Sequence, residues 1–235
     1  GTGDRGSDRL RVAKSLGAEI TALADVNEAM LDRCEASLDQ KVKRYRDHQE
    51  LLAQDKCEGV IVAAPDHWHH DILIDAIQAG KDVYIEKPLS RTIEEGQSMV
   101  KAVKASDRIV QVGNHRRSGK HWAIAHDKVA SGQIGDVKWI RTWDCRYRLV
   151  DPYQDRATNK DLFNPARIDW KRFLGSAPDR PFDAERCSAW RWFWSRYGSS
   201  RGSGPAPPGS ASTSAVRRST PWPSSRSWEG SRAFR

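Results

Sequence analysis

Apolar and polar positions change rhythm repeatedly along the first half of the chain, and that change of rhythm predicts its architecture. Gly59-Val60-Ile61-Val62-Ala63-Ala64 is an uninterrupted apolar run, the pattern of a strand buried on both faces. Ile20–Asp25, Asp82–Ile85 and Ile109–Gly113 are runs of the same kind, with a weaker one near Val42–Tyr45. Helical spacing separates them. Leu10, Val12, Ala13 and Leu16 form one such stripe, and Met30, Leu31, Cys34 and Leu38 another after the cap residue Asn27. Leu51 and Leu52 mark a third helix, Asp71–Ala79 (ended by Gly80) a fourth, and Thr92–Ala105 a fifth, opened by a Thr-x-x-Glu capping box. Strands and helices taking turns over residues 6–113 predict an α/β fold, a Rossmann-type doubly wound parallel sheet.

Beyond residue 113 the pattern differs. Ser118–Gly132 reads as a helix carrying Trp122, Ile124 and Val129. Asp136–Arg148 alternates, with Val137, Trp139, Arg141 and Trp143 opposite Lys138, Ile140, Thr142 and Asp144, which predicts an antiparallel strand at the beginning of an α+β second domain. Residues 199–235 hold eleven Ser, five Pro, four Gly and six Arg but no Leu, Ile, Met, Lys or Asp. Such a segment buries too little surface to offset its ordering entropy. The expected division is a dinucleotide-binding domain over 1–113, a partial substrate domain over 114–198 and a disordered or out-of-frame tail over 199–235. A reading frame lost between about 195 and 200 would account for the change of composition there.

Charge changes the picture less than its total suggests. Of the net +8, the tail contributes +5, so the remainder is nearly balanced and no nucleic-acid partner is expected. No apolar run approaches the ~18 residues of a membrane span, so no membrane partner is expected either. Cys34, Cys57, Cys145 and Cys187 lie far apart without a C-x-x-C, and the histidines lack ligand-like spacing, so neither a disulfide framework nor a metal site is expected. The sequence opens on Gly rather than Met, which leaves localisation open, with the cytoplasm as the default.

The candidate chemistry lies where the predicted strands end. Gly1-Thr2-Gly3-Asp4-Arg5-Gly6 has the G-x-G-x-x-G spacing that lets a backbone approach a pyrophosphate above a helix N-terminus, with Arg5 placed to touch phosphate. Asp25, nineteen residues beyond Gly6, closes a strand where a carboxylate accepts from a ribose hydroxyl. Val26-Asn27 puts no base beside it, so NAD is favoured over NADP, whose 2′-phosphate would meet a bare carboxylate. Pro65 shapes a turn after the buried strand, and His67 and His69 line or brace the same cleft. Glu86-Lys87-Pro88 closes the strand Asp82–Ile85. There Lys87 can hydrogen-bond a substrate hydroxyl and handle its proton, with Glu86 orienting it or meeting the cofactor amide. These residues together read as an NAD-dependent alcohol or polyol dehydrogenase.

The chain also resembles the glucose–fructose oxidoreductase / inositol dehydrogenase (Gfo/Idh/MocA) family. The resemblance lies in Gly1–Gly6, Ala24–Asn27, Val62–His69, Ala79–Pro88, Val110–Arg117 and Gly132–Gly135, and then in Asp169–Gly175 with Trp190–Trp194. It implies a two-domain dehydrogenase with Lys87 at its catalytic centre and with Asn114 and Arg116 toward the cofactor or a small sugar or polyol substrate; Trp170, with Trp190, Trp192 and Trp194, reads first as a core or interface aromatic, with sugar stacking as the alternative. It favours His69 over His70 and implies a homo-oligomeric parent. In the family a glycine pair and an Asp/His pair follow the tryptophan-rich stretch, whereas here no Asp or His follows Ser195. A dinucleotide fold also places a first strand before the glycines, and the expectation is that this strand is missing. Its loss would remove roughly 8–15 kcal/mol of burial, against a domain stability of about 5–15 kcal/mol. The 235-residue chain is therefore not expected to hold a stable cofactor fold and is expected to be inactive. A non-catalytic cofactor-binding remnant, or a glycoside-cleaving relative using NAD transiently, are the alternative readings.

Overall fold

A computed structural model describes residues 1–54, 56–141 and 159–190. Within Gly1–Gly113 the order is α1 (Asp4–Ser15), β1 (Ala22–Ala24), α2 (Glu28–Leu38), β2 (Lys43–Tyr45), α3 (His48–Gln54), β3 (Gly59–Val62), α4 (His69–Gln78), β4 (Asp82–Glu86), α5 (Ile93–Lys104) and β5 (Val110–Gly113). This is the α/β alternation expected of the sequence, and every strand pairing is parallel. The sheet is not continuous. β1 pairs with β2, while β3, β4 and β5 form a separate sheet in that order.

Several of these helices begin where a side chain takes an orphan N–H. Asn27 Oδ1 accepts from Ala29 N at 3.0 Å to open α2, and Thr92 Oγ1 accepts from Glu95 N at 3.2 Å to open α5. Glu95 Oε2 takes the N–H of Arg91, at 2.9 Å, because its carboxylate is also drawn to the Arg91 guanidinium.

The core follows the division of the sheet. Val62, Leu73, Ala76, Val83, Ile85, Met99 and Val110 pack around β3–β5, and Leu23, Leu31, Cys34 and Leu38 pack behind β1.

Two expectations beyond Gly113 need correction. Residues 159–190, read from the sequence as part of a second domain, group with Gly1–Gly113 instead. The cause is local: Asn27 Nδ2 donates to Leu162 O at 2.8 Å and Asp169 N to Val26 O at 2.9 Å. Phe163, Ile168 and Phe173 then bury against Val26 and Met30. This segment adds two short helices, α7 (Trp170–Leu174) and α8 (Ala184–Ser188), numbered after the helix of the other unit. The strand expected over Asp136–Arg148 is absent at 136–141, and its remainder lies outside the described residues, as does the tail over 199–235. Residues 114–141 form a unit of their own, built on α6 (Lys120–Ala130), whose Trp122, Ile124 and Val129 are exposed. Among the described residues no helix is long and apolar enough to cross a membrane.

Candidate cofactor-binding site

Parallel strands carry their carboxyl ends to one edge, and the predicted site residues of the first unit collect there. Gly3 stands at the N-cap of α1 with no side-chain capping bond, and Ser7 N donates to Gly3 O at 2.9 Å. The first-turn N–H groups ahead of Ser7 therefore lack intrahelical acceptors and point out of the helix end with its positive dipole.

The three glycines serve different purposes. A Cβ on Gly6 would lie 2.0 Å from Gly1 O, and one on Gly1 would lie 2.7 Å from Ala63 O, so both positions are closed by backbone. A Cβ on Gly3 would meet nothing within 4 Å. The open space in front of the helix end is where a phosphate pair would approach. Arg5 is exposed in the same first turn.

Asp25 closes β1 and is already engaged. Its Oδ2 accepts from Thr2 N at 2.6 Å and Thr2 Oγ1 at 3.1 Å, and its Oδ1 accepts from Asn27 N at 2.9 Å. Thr2 is buried, and its carbonyl accepts from Ser7 Oγ at 2.8 Å. The glycine turn and the Asp25 carboxylate are thus fixed to each other. Both oxygens keep lone pairs beyond these bonds, so the carboxylate can still accept. Helix end, open space and carboxylate fit a dinucleotide.

Pro65 opens a short 3-10 turn over Asp66–Trp68 that runs into α4. Both histidines that follow act as braces. His67 Nε2 donates to Phe173 O at 2.8 Å, and Trp68 Nε1 donates to the same oxygen at 3.3 Å, tying the turn to α7. Burial pulls the His67 pKa down to about 4, against a smaller raising effect of the Phe173 carbonyl, so the ring is neutral near pH 7. His69 is wholly buried, with Nδ1 2.7 Å from Pro88 O and Nε2 3.0 Å from Ala64 O.

At the end of β4, Glu86 is buried, and its Oε1 lies 3.3 Å from Arg9 Nε of α1. Lys87 follows it and is exposed. Among the expected residues beyond the strand edge, Trp170 is not open for stacking. It lies parallel to Phe173 at 5.1 Å, meets Phe182 edge-on at 5.2 Å and donates Nε1–H to Arg180 O at 2.8 Å. Asn114 and Arg116 belong to the second unit, where both are exposed and Arg116 has a left-handed backbone (φ 68).

Sequence reasoning missed Thr2, Arg9 and the Phe173 carbonyl. Thr2 occupies a variable position of the glycine motif, and a backbone carbonyl leaves no trace in side-chain pattern. Arg9 had a weak signal, three residues past Gly6 on the inward side of α1.

Residues 1–114 match the model of an oxidoreductase family with an NAD-binding Rossmann fold, GFO_IDH_MocA. The chain is 35% identical over 141 residues to an inositol 2-dehydrogenase of Salmonella paratyphi B, an alignment covering 57% of this chain and 41% of that protein. It is 34% identical over 172 residues to an inositol 2-dehydrogenase of Pseudomonas savastanoi pv. phaseolicola, covering 72% of this chain and 51% of that one. Among solved structures it resembles scyllo-inositol dehydrogenase from Lactobacillus casei with bound NAD(H) and scyllo-inositol, at a TM-score of 0.54 and 25% identity over 59% of this chain and 41% of that one. The chain therefore spans about half or less of the length of these relatives.

Proposed function

The chain belongs, through residues 1–114, to the Gfo/Idh/MocA oxidoreductase family, and from that premise we propose that it holds NAD across the carboxyl edge of its strands, in the manner of a polyol dehydrogenase. The observation that carries this reading is the pair of hydrogen bonds that Thr2 donates to Asp25. It sets the glycine turn and the ribose-side carboxylate at fixed positions before any ligand arrives, so little ordering cost is left for binding. The first-turn N–H groups of α1 would take the pyrophosphate, and Asp25 the ribose hydroxyls. A 2′-phosphate would face the Asp25 charge, which favours NAD over NADP.

Bound there, NAD would supply the hydride acceptor for oxidation of an alcohol carbon. Lys87, at the strand end and exposed, would hydrogen-bond the substrate hydroxyl through its amine and exchange a proton with it. The fitting substrates are cyclic polyols and sugars, by analogy with the inositol dehydrogenases above. We take the 235 residues alone to bind without turnover, because Lys87 stands exposed to water and not in an enclosed site.

Calorimetric titration of the chain with NAD and NADP tests this. NAD should bind at least about tenfold more tightly than NADP, a difference of 1.4 kcal/mol or more. Gly3→Ala should fold normally yet lose NAD, because its methyl enters open space in front of the helix end. Equal binding of NAD by G3A, or no NAD binding by the parent chain, would sink the reading. NADH formation from myo-inositol that disappears in K87A would overturn the claim of binding without turnover.

A further inference from the structure

Arginines and carboxylates alternate along one face of α2. Arg46 pairs with Glu28, Arg167 with both Glu28 and Asp32, and Arg44 with both Asp32 and Glu35. This row of pairs begins beside the carboxylate that would take a ribose. Asp25 N donates to Tyr45 O at 3.2 Å, and Arg46 is the residue after Tyr45. Asn27 N donates to Asp25 Oδ1 at 2.9 Å, and Glu28 is the residue after Asn27. Arg46 and Asp25 also line one cavity of about 910 Å³. The Arg46–Glu28 pair thus flanks Asp25, built from the end of β2 on one side and the start of α2 on the other.

NAD and NADP differ by a single phosphate on the adenosine 2′-oxygen, the hydroxyl position that a carboxylate at this strand end would hold. A 2′-phosphate there needs a cation to offset Asp25. Arg46 is the arginine that flanks the place, but its guanidinium is turned to the Glu28 carboxylate. The other cations of this corner are engaged in the same way. Arg167 and Arg44 share Asp32, and Arg172 Nε lies 3.2 Å from Asp47 Oδ2. Asp47 itself faces α3, where its Oδ1 accepts from Gln49 N at 2.8 Å.

We propose that Glu28 is a cofactor-specificity residue: by holding Arg46 it withholds the cation that a 2′-phosphate would need beside Asp25. The inference rests on the NAD-binding reading above and deepens it, because it assigns the preference for NAD to a second carboxylate as well as to Asp25. Removing the Glu28 charge releases Arg46. A free guanidinium meets a phosphate through two parallel N–H donors, the geometry for which it is best suited. NAD carries a hydroxyl at the same carbon and gains nothing from that release. The fold does not depend on the pair either. Both side chains are partly exposed, Arg46 at 45% and Glu28 at 35%, and an ion pair so placed contributes little to stability. A purely structural Glu28, acting on the first turn of α2, would move both cofactors together.

The test is calorimetric titration with NAD and with NADP of three proteins: the parent chain, Glu28→Gln, and the double variant Glu28→Gln with Arg46→Met. Glutamine keeps the size of the side chain and removes its charge. E28Q should bind NADP at least about tenfold more tightly than the parent does, the scale of one charge-assisted hydrogen bond. Its NAD affinity should stay within about twofold. The double variant should return to the parent's ratio of NADP to NAD affinity, because the released arginine is gone. An unchanged ratio in E28Q, an equal gain for both cofactors, or a gain that survives the loss of Arg46 would each overturn the proposal while leaving NAD bound and the cofactor reading intact. No NAD binding by the parent chain would overturn both.

Discussion

The Nδ1 of His69 lies 2.7 Å from the carbonyl oxygen of Pro88, and through this contact the turn after β3 holds the turn after β4. The opposite nitrogen reaches Ala64 O at 3.0 Å, so one buried ring spans the two loops that flank the candidate nicotinamide position. The lysine beside Pro88 therefore takes its place from a histidine eighteen residues earlier in the chain.

Replacing His69 by alanine should cost about 2–4 kcal/mol, through an unfilled core site and the loss of the ring's hydrogen bond to a loop carbonyl. His69→Gln retains one polar contact and should lose about half as much. Urea unfolding of both variants measures this, and equal losses would mean that packing alone matters there.

The glycine turn offers a sharper contrast. Gly6→Ala drives a methyl onto Gly1 O and should abolish cooperative folding, whereas Gly3→Ala, with open space and an ordinary φ of −58, should melt within a degree or two of the parent. Differential scanning calorimetry separates them. A severe loss in G3A would show that this space is filled by protein.

The ion pair of Arg9 and Glu86 joins the helix of the glycine turn to the strand that ends at Lys87. Arg9→Met should destabilise the fold by about 1–3 kcal/mol, because the buried carboxylate loses its counter-charge. The double variant with Glu86→Gln should recover part of that loss. A double-mutant cycle that returns simple additivity would remove the coupling.

His67 predicts acid sensitivity. Its folded pKa of about 4 lies below the ordinary 6.5, so folding favours the neutral ring. That stability is complete above pH 6.5 and is lost as pH falls toward 4, by an amount on the order of 3 kcal/mol. Stability against urea measured from pH 7 to pH 4 should decline less steeply in His67→Gln. Parallel pH profiles for the two proteins would assign the acid loss to other groups.

Local pattern alone determined most of the first unit. The apolar run at Gly59–Ala64, the cap at Asn27, the Thr92 helix start and the Gly1–Gly6 turn are encoded within a few residues of themselves, and the helices and strands stand where those signals put them. The same signals named Asp25, the closing carboxylate, and Lys87 at its strand end. Tertiary structure decided the rest. It engaged Asp25 with Thr2, turned His67 and His69 into braces, placed Trp170 in a packed aromatic cluster and drew residues 159–190 onto Val26 and Met30. The difference is physical: periodicity reports which face of an element is buried, but the partner on that face is often a backbone oxygen or a distant side chain, and neither appears in the spacing of the residues it meets.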